Sequence, residues 1–252
     1  MTLLLKKICN FFYLFIGFGL LISISYANEN KILTACAEPW PPFDYQENAQ
    51  LKGSNIELNQ HIFKKLNIPL KISIMPWQLC WQMVKSGKID MAFMVSKKEN
   101  RQSDVYYSEK PTDQLNYVWV IDQLHNPELS CTQSVCPINQ DKKLKIGIIN
   151  GNSYSDELSN CIKNNAQTIT VKKYPTLSYA FRMLLSDQIQ MIPSVDSIAN
   201  YYIDRMKTNH LTVCQKTLFS KEYYSVFSKA SKFSNQNYAD ITAVKKAYNQ
   251  NI

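Results

Sequence analysis

The amino-acid sequence predicts an α/β fold of two lobes, each a mostly parallel sheet flanked by helices. Short apolar segments alternate with segments of helical periodicity in the order β-α-β-α-β over residues 31–95. The same order restarts over residues 144–193. Such alternation favours parallel strands with helices on both faces of the sheet. Two copies of one layout, joined through residues 116–123, therefore indicate two lobes with a ligand cleft between them.

The first copy begins with a predicted strand over Lys31–Ala37, which ends at the proline-rich turn Pro39–Pro42. A helix is predicted over Ser54–Leu66, because its apolar residues recur at helical spacing and Ser54 or Asn55 can cap it. The remaining elements are a strand over Leu70–Met75, a helix over Gln78–Ser86 that stops at Gly87, and an apolar strand over Ile89–Val95.

The second copy repeats this order after a long intervening segment. Its predicted elements are a strand over Leu144–Ile149, a helix over about Tyr154–Asn164, a strand over Ile169–Tyr174, a helix over Leu177–Leu185 and a short strand over Gln190–Pro193. The turn Asn150–Ser153 joins its first strand to its first helix.

Residues 1–27 have the pattern of a secretory signal. Lys6 and Lys7 precede a mostly apolar run, and Ser25-Tyr26-Ala27 provides the small-x-small pattern of a cleavage site. An uncleaved membrane anchor is the alternative, since the apolar run is near the lower length limit for a span. Cleavage would leave 225 residues and lower the net charge from +8 to +6. The lysines are scattered rather than clustered, so a nucleic-acid partner is not expected.

Cysteine usage agrees with export. Six cysteines follow residue 27, and an even number in an oxidising compartment indicates disulfides of undetermined connectivity. They are Cys36, Cys80, Cys131, Cys136, Cys161 and Cys214. The sequence has no C-x-x-C pair and three isolated histidines, so neither a zinc site nor a cofactor is expected.

A series of short motifs lies between Trp40 and Pro111. In order they are Trp40-Pro41-Pro42-Phe43, Gly53-x-x-x-Glu57-Leu58, Gly87-Lys88-Ile89-Asp90, Ser96 with Arg101 five residues later, and Tyr107-Ser108-x-x-Pro111. In this order they resemble the periplasmic solute-binding proteins of the polar-amino-acid class, family 3, over about residues 30–250. The resemblance implies a type II periplasmic binding protein fold with two hinge strands. It implies a lobe 1 made of residues 28–120 and 222–252, and a lobe 2 of residues 121–221.

The resemblance also implies a ligand site. Trp40 and Trp77 match the aromatic positions that stack on the ligand in relatives, where a ring can contribute about 1 kcal/mol beyond the burial of area. Ser96 and Arg101 match the hydroxyl and guanidinium that hold an α-carboxylate, and a guanidinium meets both carboxylate oxygens with its planar fork. The distance from Asp90 to Arg101 is one residue shorter than in amino-acid-binding relatives.

The second lobe is expected to complete that site. Asn152 and Ser153 match a turn and helix start that offer N–H groups to the same carboxylate, and ordinary helix capping is their alternative role. Asp196 matches the acid that binds the ligand's ammonium group, although it lies one residue out of the usual register. A subgroup of relatives suggests pairing of Cys36 with Cys80. Cys131–Cys136 and Cys161–Cys214 are then the remaining hypothetical disulfides.

The expected function is periplasmic binding of a small polar solute, an amino acid above all, by closure of the two lobes. The partner would be an inner-membrane ABC transporter permease, and the protein would act as a monomer. One alternative is an enzyme of the same fold similar to cyclohexadienyl dehydratases, with Glu38 beside Trp40 as its first candidate acid. The other is a sensory binding module without transport.

Overall fold

The computed structural model describes residues 32–131, 135–137, 143–231, 233, 243, 246–247 and 250–251. The expected signal segment, residues 1–27, lies outside the described residues. Residues Ile32–Ile252 form one compact unit. No helix in the described part of the chain is long and apolar enough to cross a membrane.

The first lobe has the predicted β-α-β-α-β order with an added hairpin. Its elements are β1 (Leu33–Ala37), β2 (Tyr45–Glu47), β3 (Gln50–Lys52), α1 (Ser54–Lys65), β4 (Leu70–Ile74), α2 (Trp77–Lys85), β5 (Met91–Ser96) and β6 (Val105–Tyr107), with a 3₁₀ turn at Glu99–Arg101 between the last two. β1 lies parallel to both β4 and β5. Asp90 has a structural role there, because its Oδ2 accepts hydrogen bonds from the Thr34 N–H and hydroxyl at 2.8 and 2.6 Å.

The second lobe repeats this arrangement. Its elements are β8 (Leu144–Ile149), α3 (Asp156–Asn164), β9 (Ile169–Tyr174), α4 (Leu177–Leu185), β10 (Met191–Val195), α5 (Asp196–Met206) and β11 (Leu211–Val213). β8 lies parallel to β9 and to β10. β8, β9 and α4 have the predicted bounds. α5 and β11 were not predicted, since no motif of the sequence pointed to them.

Two long strands connect the lobes, β7 (Asp113–Asp122) and β12 (Phe219–Ser228). They pair antiparallel with each other. β12 also pairs antiparallel with β5 of the first lobe, and β7 pairs antiparallel with β10 of the second. The order is therefore β4-β1-β5-β12-β7-β10-β8-β9. The sequence predicted two separate sheets, whereas hydrogen bonding through the crossing strands makes one sheet that spans both lobes.

The loop after β1 is anchored on the start of α1. The buried Asp44 carboxylate accepts hydrogen bonds from Asn55 Nδ2 at 2.7 and 2.9 Å. Gly53, rather than Ser54 or Asn55, occupies the N-cap of α1, with φ of 120°. A Cβ at Gly53 would lie 2.1 Å from the Phe43 carbonyl oxygen, so this close approach requires glycine. Gly53 and the Pro41-Pro42-Phe43 segment therefore pack directly against each other.

Three disulfides join cysteines of the described residues, and the pairing of Cys36 with Cys80, which ties β1 to α2, is confirmed. The other two hypothetical pairings are wrong, because Cys131 bonds to Cys214 and Cys136 to Cys161. Asn165 at the end of α3 donates a hydrogen bond to Cys136 Sγ at 3.5 Å, which places Cys136 over the helix that carries Cys161. The observed pairs are separated by 83 and 25 residues, and spacing along the sequence does not reveal such partners.

Candidate functional site

A small buried cavity lies between the lobes at the carboxyl ends of β1, β4, β5 and β8. Water can occupy only about 20 Å³ of it, roughly the space of one molecule. It is lined by Glu38, Trp40, Trp77, Phe93, Met94, Ser96, Arg101, Tyr117, Asn152, Ser153 and Tyr223. The two crossing strands contribute Tyr117 and Tyr223, and β5 contributes Phe93, Met94 and Ser96. The other lining residues follow strand ends of either lobe. Six of the seven predicted ligand-binding residues meet here, and Asp196 is the exception.

Arg101 is buried inside this cavity. It lies in the 3₁₀ turn after β5 and is 8% exposed. Its Nη1 donates hydrogen bonds to the Ser96 backbone oxygen at 3.1 Å and to the Ser96 Oγ at 3.0 Å. Burial lowers the pKa of the guanidinium, yet arginine stays charged at neutral pH. No ion pair joins Arg101 to any residue in the part of the chain that the structure describes.

Two stacked indoles hold the guanidinium in place. Trp77 and Trp81 stack with centroids 5.6 Å apart and an interplanar angle of 22°. The Arg101 Cζ lies 4.9 Å from the Trp77 ring centroid and 5.2 Å from that of Trp81. The sequence had identified Trp77 but missed Trp81, although their four-residue spacing on a helix is the signal that places both on one face.

Trp77 also contacts the second lobe. Its Nε1 donates a hydrogen bond to the Gly151 carbonyl oxygen at 3.0 Å. Gly151 has φ of +80°, and a Cβ there would lie 3.0 Å from Gln78 Cγ and 3.3 Å from Trp77 Cδ1. A glycine is therefore required for the turn after β8 to reach α2. The indole thus has one edge in the cavity wall and one on the other lobe.

The Asn150–Ser153 turn brings the second lobe to Ser96. The Ser153 Oγ lies 2.8 Å from the Ser96 Oγ. Neither Asn152 nor Ser153 caps α3, because Ser155 is the N-cap and its side chain accepts from the Leu158 N–H at 3.2 Å. Their alternative role as helix caps is therefore wrong.

Lys221 on β12 reaches the same serine and was missed from the sequence. Its Nζ donates to the Ser153 carbonyl oxygen at 2.7 Å and also to the Ser153 Oγ. Burial, followed by the positive charges of Lys98 and Arg101, lowers the pKa of Lys221 to about 8. Arg101, Ser96, Ser153 and Lys221 therefore form one hydrogen-bonded chain across the lobes.

Trp40 forms another wall of the cavity. It is 5% exposed and meets Tyr223 edge-on, with centroids 5.2 Å apart. The Trp40 N–H and carbonyl are bonded to Asp44, which closes the proline-rich turn. The buried Trp40 Nε1 has no hydrogen-bond partner among the described residues. An indole N–H without an acceptor in a cavity wall is available to a ligand.

Glu38 is the acidic group in the cavity lining. It is 8% exposed, and its Oε1 has no hydrogen-bond partner among the described residues. Burial raises the pKa of Glu38 to about 8, while a hydrogen bond from the Asn152 side chain acts in the opposite direction. The sequence had placed Glu38 beside Trp40 only as a candidate acid for an enzyme.

Asp196 is not brought into the cavity lining. It is the first residue of α5, and its Oδ1 accepts a hydrogen bond from the Ser197 N–H at 2.6 Å. Its neighbour Val195 instead lines a second, smaller cavity that shares Trp40, Tyr117 and Asn152 with the first.

The backbone of β5 is irregular where it passes the cavity. Met94 has φ of 53° within the strand. Opposite it, the pairing of β12 with β5 shifts register between Tyr224 and Val226. A bulge of this kind re-aims side chains at the end of a strand. Ser96 lies two residues beyond the irregularity and turns its hydroxyl toward Arg101.

Comparison with known proteins agrees with the fold. Residues 32–250 match the sequence model of the bacterial extracellular solute-binding proteins, family 3. No curated protein matched in a sequence comparison.

Solved structures superpose over most of the chain. An ancestral arginine-binding protein bound to arginine has a TM-score of 0.72 at 22% identity, covering 87% of this chain and 91% of that one. Holo ArgBP from T. maritima has a TM-score of 0.68 at 17% identity, covering 88% and 91%. A histidine kinase sensor domain with similarity to periplasmic binding proteins has a TM-score of 0.67 at 12% identity, covering 87% and 89%. At these identities the likeness shows a shared two-lobed fold.

Proposed function

The chain belongs to the bacterial extracellular solute-binding proteins of family 3, and we propose that it binds a small amino acid between its two lobes. The cavity at the strand ends is the ligand site. Trp40, Trp77, Ser96, Arg101, Asn152 and Ser153 contact the ligand. The protein has no catalytic role.

The observation that carries this proposal is the buried guanidinium of Arg101. A charge removed from water is costly unless a partner of opposite charge compensates it. The described residues supply Arg101 with neutral hydrogen-bond acceptors and two aromatic faces, but no carboxylate. A ligand carboxylate supplies the missing charge and can accept two parallel hydrogen bonds from the guanidinium.

Binding involves both lobes, which we place at residues 28–120 with 222–252 and at residues 121–221. Ser96 and Arg101 belong to one lobe, and Asn152 and Ser153 to the other. The cavity holds about one water molecule, so a solute enters only when the lobes separate and is then enclosed as they close. Closure is favoured by those ligand contacts that exist in the closed form alone.

In the cell, the protein is periplasmic and acts as a monomer that delivers its ligand to an inner-membrane ABC transporter. Family membership supports this role. The same fold occurs in the sensor domain of a histidine kinase, so uptake must be measured directly. A strain that lacks the protein should lose uptake of the radiolabelled ligand. Normal uptake together with a lost transcriptional response would instead indicate a sensory role.

Ligand binding is tested on protein that has been unfolded and refolded to remove any bound solute. Thermal unfolding is then measured with each standard amino acid, small carboxylates and polyamines. A ligand at 100 times its Kd adds about 2.7 kcal/mol to the free energy of unfolding. Arg101→Ala should abolish the shift, while Arg182→Ala, at an exposed position of α4, should keep it. Stabilisation by polyamines but by no carboxylate would refute the proposal.

A further inference from the structure

Glu38, the acidic group of the cavity lining, has a side-chain oxygen that no described hydrogen-bond donor reaches. Glu38 follows β1 and is 8% exposed, and its Oε1 is buried without a hydrogen-bond partner among the described residues. Native structures leave few buried polar atoms unpaired, because each one loses its hydration without compensation. An unpaired carboxyl oxygen in the wall of a ligand cavity points to a donor that arrives with the ligand.

Among the residues that the structure describes, none offers Glu38 a positive charge. The groups that interact with it electrostatically are the hydroxyls of four tyrosines, which lie on β7, on the loop after β8, on α5 and on β12: Tyr117, Tyr154, Tyr202 and Tyr223. Burial raises the pKa of each of these tyrosines, so all four are neutral at pH 7. Among the described residues, the side chain of Asn152 forms a hydrogen bond with the Glu38 carboxyl group.

Among the described residues, the cavity therefore presents a guanidinium without an anion and a carboxyl group whose Oε1 has no hydrogen-bond donor. They do not form an ion pair with each other in the structure. A ligand with a carboxylate and an amino group supplies the anion to Arg101 and a hydrogen-bond donor to Glu38. A simple carboxylate leaves the Glu38 Oε1 without a donor.

We propose that Glu38 of the first lobe binds the amino group of the ligand whose carboxylate is held by Arg101. This inference rests on the proposed function and names the ligand class as amino-carboxylates. Glu38 takes the role that the sequence assigned to Asp196, which lies outside the cavity lining and accepts the Ser197 N–H with its Oδ1. Because Glu38 is largely protonated at pH 7, binding of an ammonium group releases its proton to solvent.

The test uses ligand pairs that differ by one amino group. These are L-alanine and propanoate, L-glutamine and 4-carbamoylbutanoate, and 4-aminobutanoate and butanoate. Affinities are measured calorimetrically for the refolded protein, for Glu38→Gln and for Asp196→Asn. Glu57→Gln, at an exposed position of α1, is the matched control. Circular dichroism verifies that each variant is folded.

In the ligand pair that the protein binds, we expect Glu38→Gln to lower the affinity for the amino compound at least tenfold. The affinity for its deaminated counterpart should fall less than twofold. Asp196→Asn and Glu57→Gln should change neither affinity. Repeating the titration at pH 7 in buffers of different ionisation enthalpy should show release of about one proton, which Glu38→Gln abolishes.

Two outcomes overturn the inference while leaving the proposed function standing. In the first, the wild-type protein binds the deaminated acid as tightly as the amino acid. In the second, Asp196→Asn causes the selective loss and Glu38→Gln does not. If no member of any pair binds the wild-type protein and Arg101→Ala has no effect on any ligand, the proposed function and this inference both fail.

Discussion

The hydroxyl oxygens of Ser96 and Ser153 lie 2.8 Å apart although 57 residues separate them in the chain. Ser96 is the last residue of β5 in the first lobe, and Ser153 follows β8 of the second. Arg101 donates to the first hydroxyl and Lys221 to the second. The contact therefore links Arg101 of one lobe to the turn after β8 of the other.

Removing either serine hydroxyl should weaken closure. A buried hydrogen bond contributes about 1 kcal/mol, so we expect Ser96→Ala and Ser153→Ala each to lower ligand affinity about fivefold. The double variant should lose little more than either single variant, because both remove the same contact. Calorimetric titration measures all three. Fully additive losses would show that the two hydroxyls act independently.

Trp81 should support binding without touching the ligand. It faces Arg101 at 5.2 Å but is not part of the cavity lining. A cation–π contact at a partly buried site contributes about 1–2 kcal/mol, so Trp81→Ala should weaken carboxylate binding about tenfold and Trp81→Phe should restore most of it. Leu79→Ala, at an exposed position of the same helix, is the control.

The assignment of Trp81 as a positioning residue can be separated from a general packing defect. In an Arg101→Lys background, Trp81→Ala should have a clearly smaller effect on affinity, since the planar guanidinium is gone. An equal effect in both backgrounds would mean that Trp81 acts through the packing of α2.

The Cys36–Cys80 disulfide should matter for both stability and binding. Cys80 lies on α2 between Trp77 and Trp81, and the bridge holds this helix on β1. Replacing both cysteines with alanine should lower the free energy of unfolding by about 2–4 kcal/mol and weaken ligand binding. Urea unfolding and calorimetry measure the two effects.

The Cys136–Cys161 bridge is the matched comparison for that experiment. It lies in the second lobe, and neither cysteine lines the cavity. Its removal should also reduce stability but leave ligand affinity within about twofold. A similar loss of affinity for both bridges would mean that any destabilisation impairs binding.

Glu38 should make the ligand-free protein less stable at high pH. Its pKa is 4.5 as a free side chain and about 8 when buried. Between these values the unfolded chain binds fewer protons than the folded one, so the free energy of unfolding falls as the pH rises from about 4.5 to 8. Glu38→Gln removes this dependence and should raise the Tm at pH 8 by about 5 °C or more relative to its effect at pH 5.

Differential scanning calorimetry at both pH values checks this prediction. Asp44, whose pKa burial also raises to about 8, is present in both proteins, so its contribution cancels in the comparison. The same Tm difference between the two proteins at pH 5 and pH 8 would contradict the assigned pKa of Glu38.

The alternation of strand-like and helix-like segments in the sequence was sufficient to predict most of the secondary-structure elements. Apolar periodicity predicted β8, β9 and α4 with their observed bounds and the remaining elements of both copies within a few residues. The single sheet was not predictable in this way. It depends on pairing of β7 with β12, whose paired residues Tyr117 and Phe219 are far apart in the chain. Local periodicity carries no information on such partners.

Part of the candidate site in the first lobe was also predictable, because neighbouring residues of one short segment carry it. Ser96 and Arg101 are five residues apart, so the turn after β5 is enough to bring the hydroxyl and the guanidinium together. Trp77 and Trp81 are one helical turn apart and stack for the same reason. These relationships follow from local backbone geometry.

By itself, the sequence determined the alternating order of strands and helices, the two lobes, and the proximity of the Ser96 hydroxyl to the Arg101 guanidinium. Only the tertiary structure decided that Glu38 rather than Asp196 faces the cavity, that Cys131 bonds to Cys214, and that Lys221 reaches Ser153. The physical reason is the range of the interactions. Spacing along the chain specifies contacts between residues one helical turn apart or on either side of one turn. Contacts between the lobes depend instead on how the two crossing strands orient one lobe relative to the other.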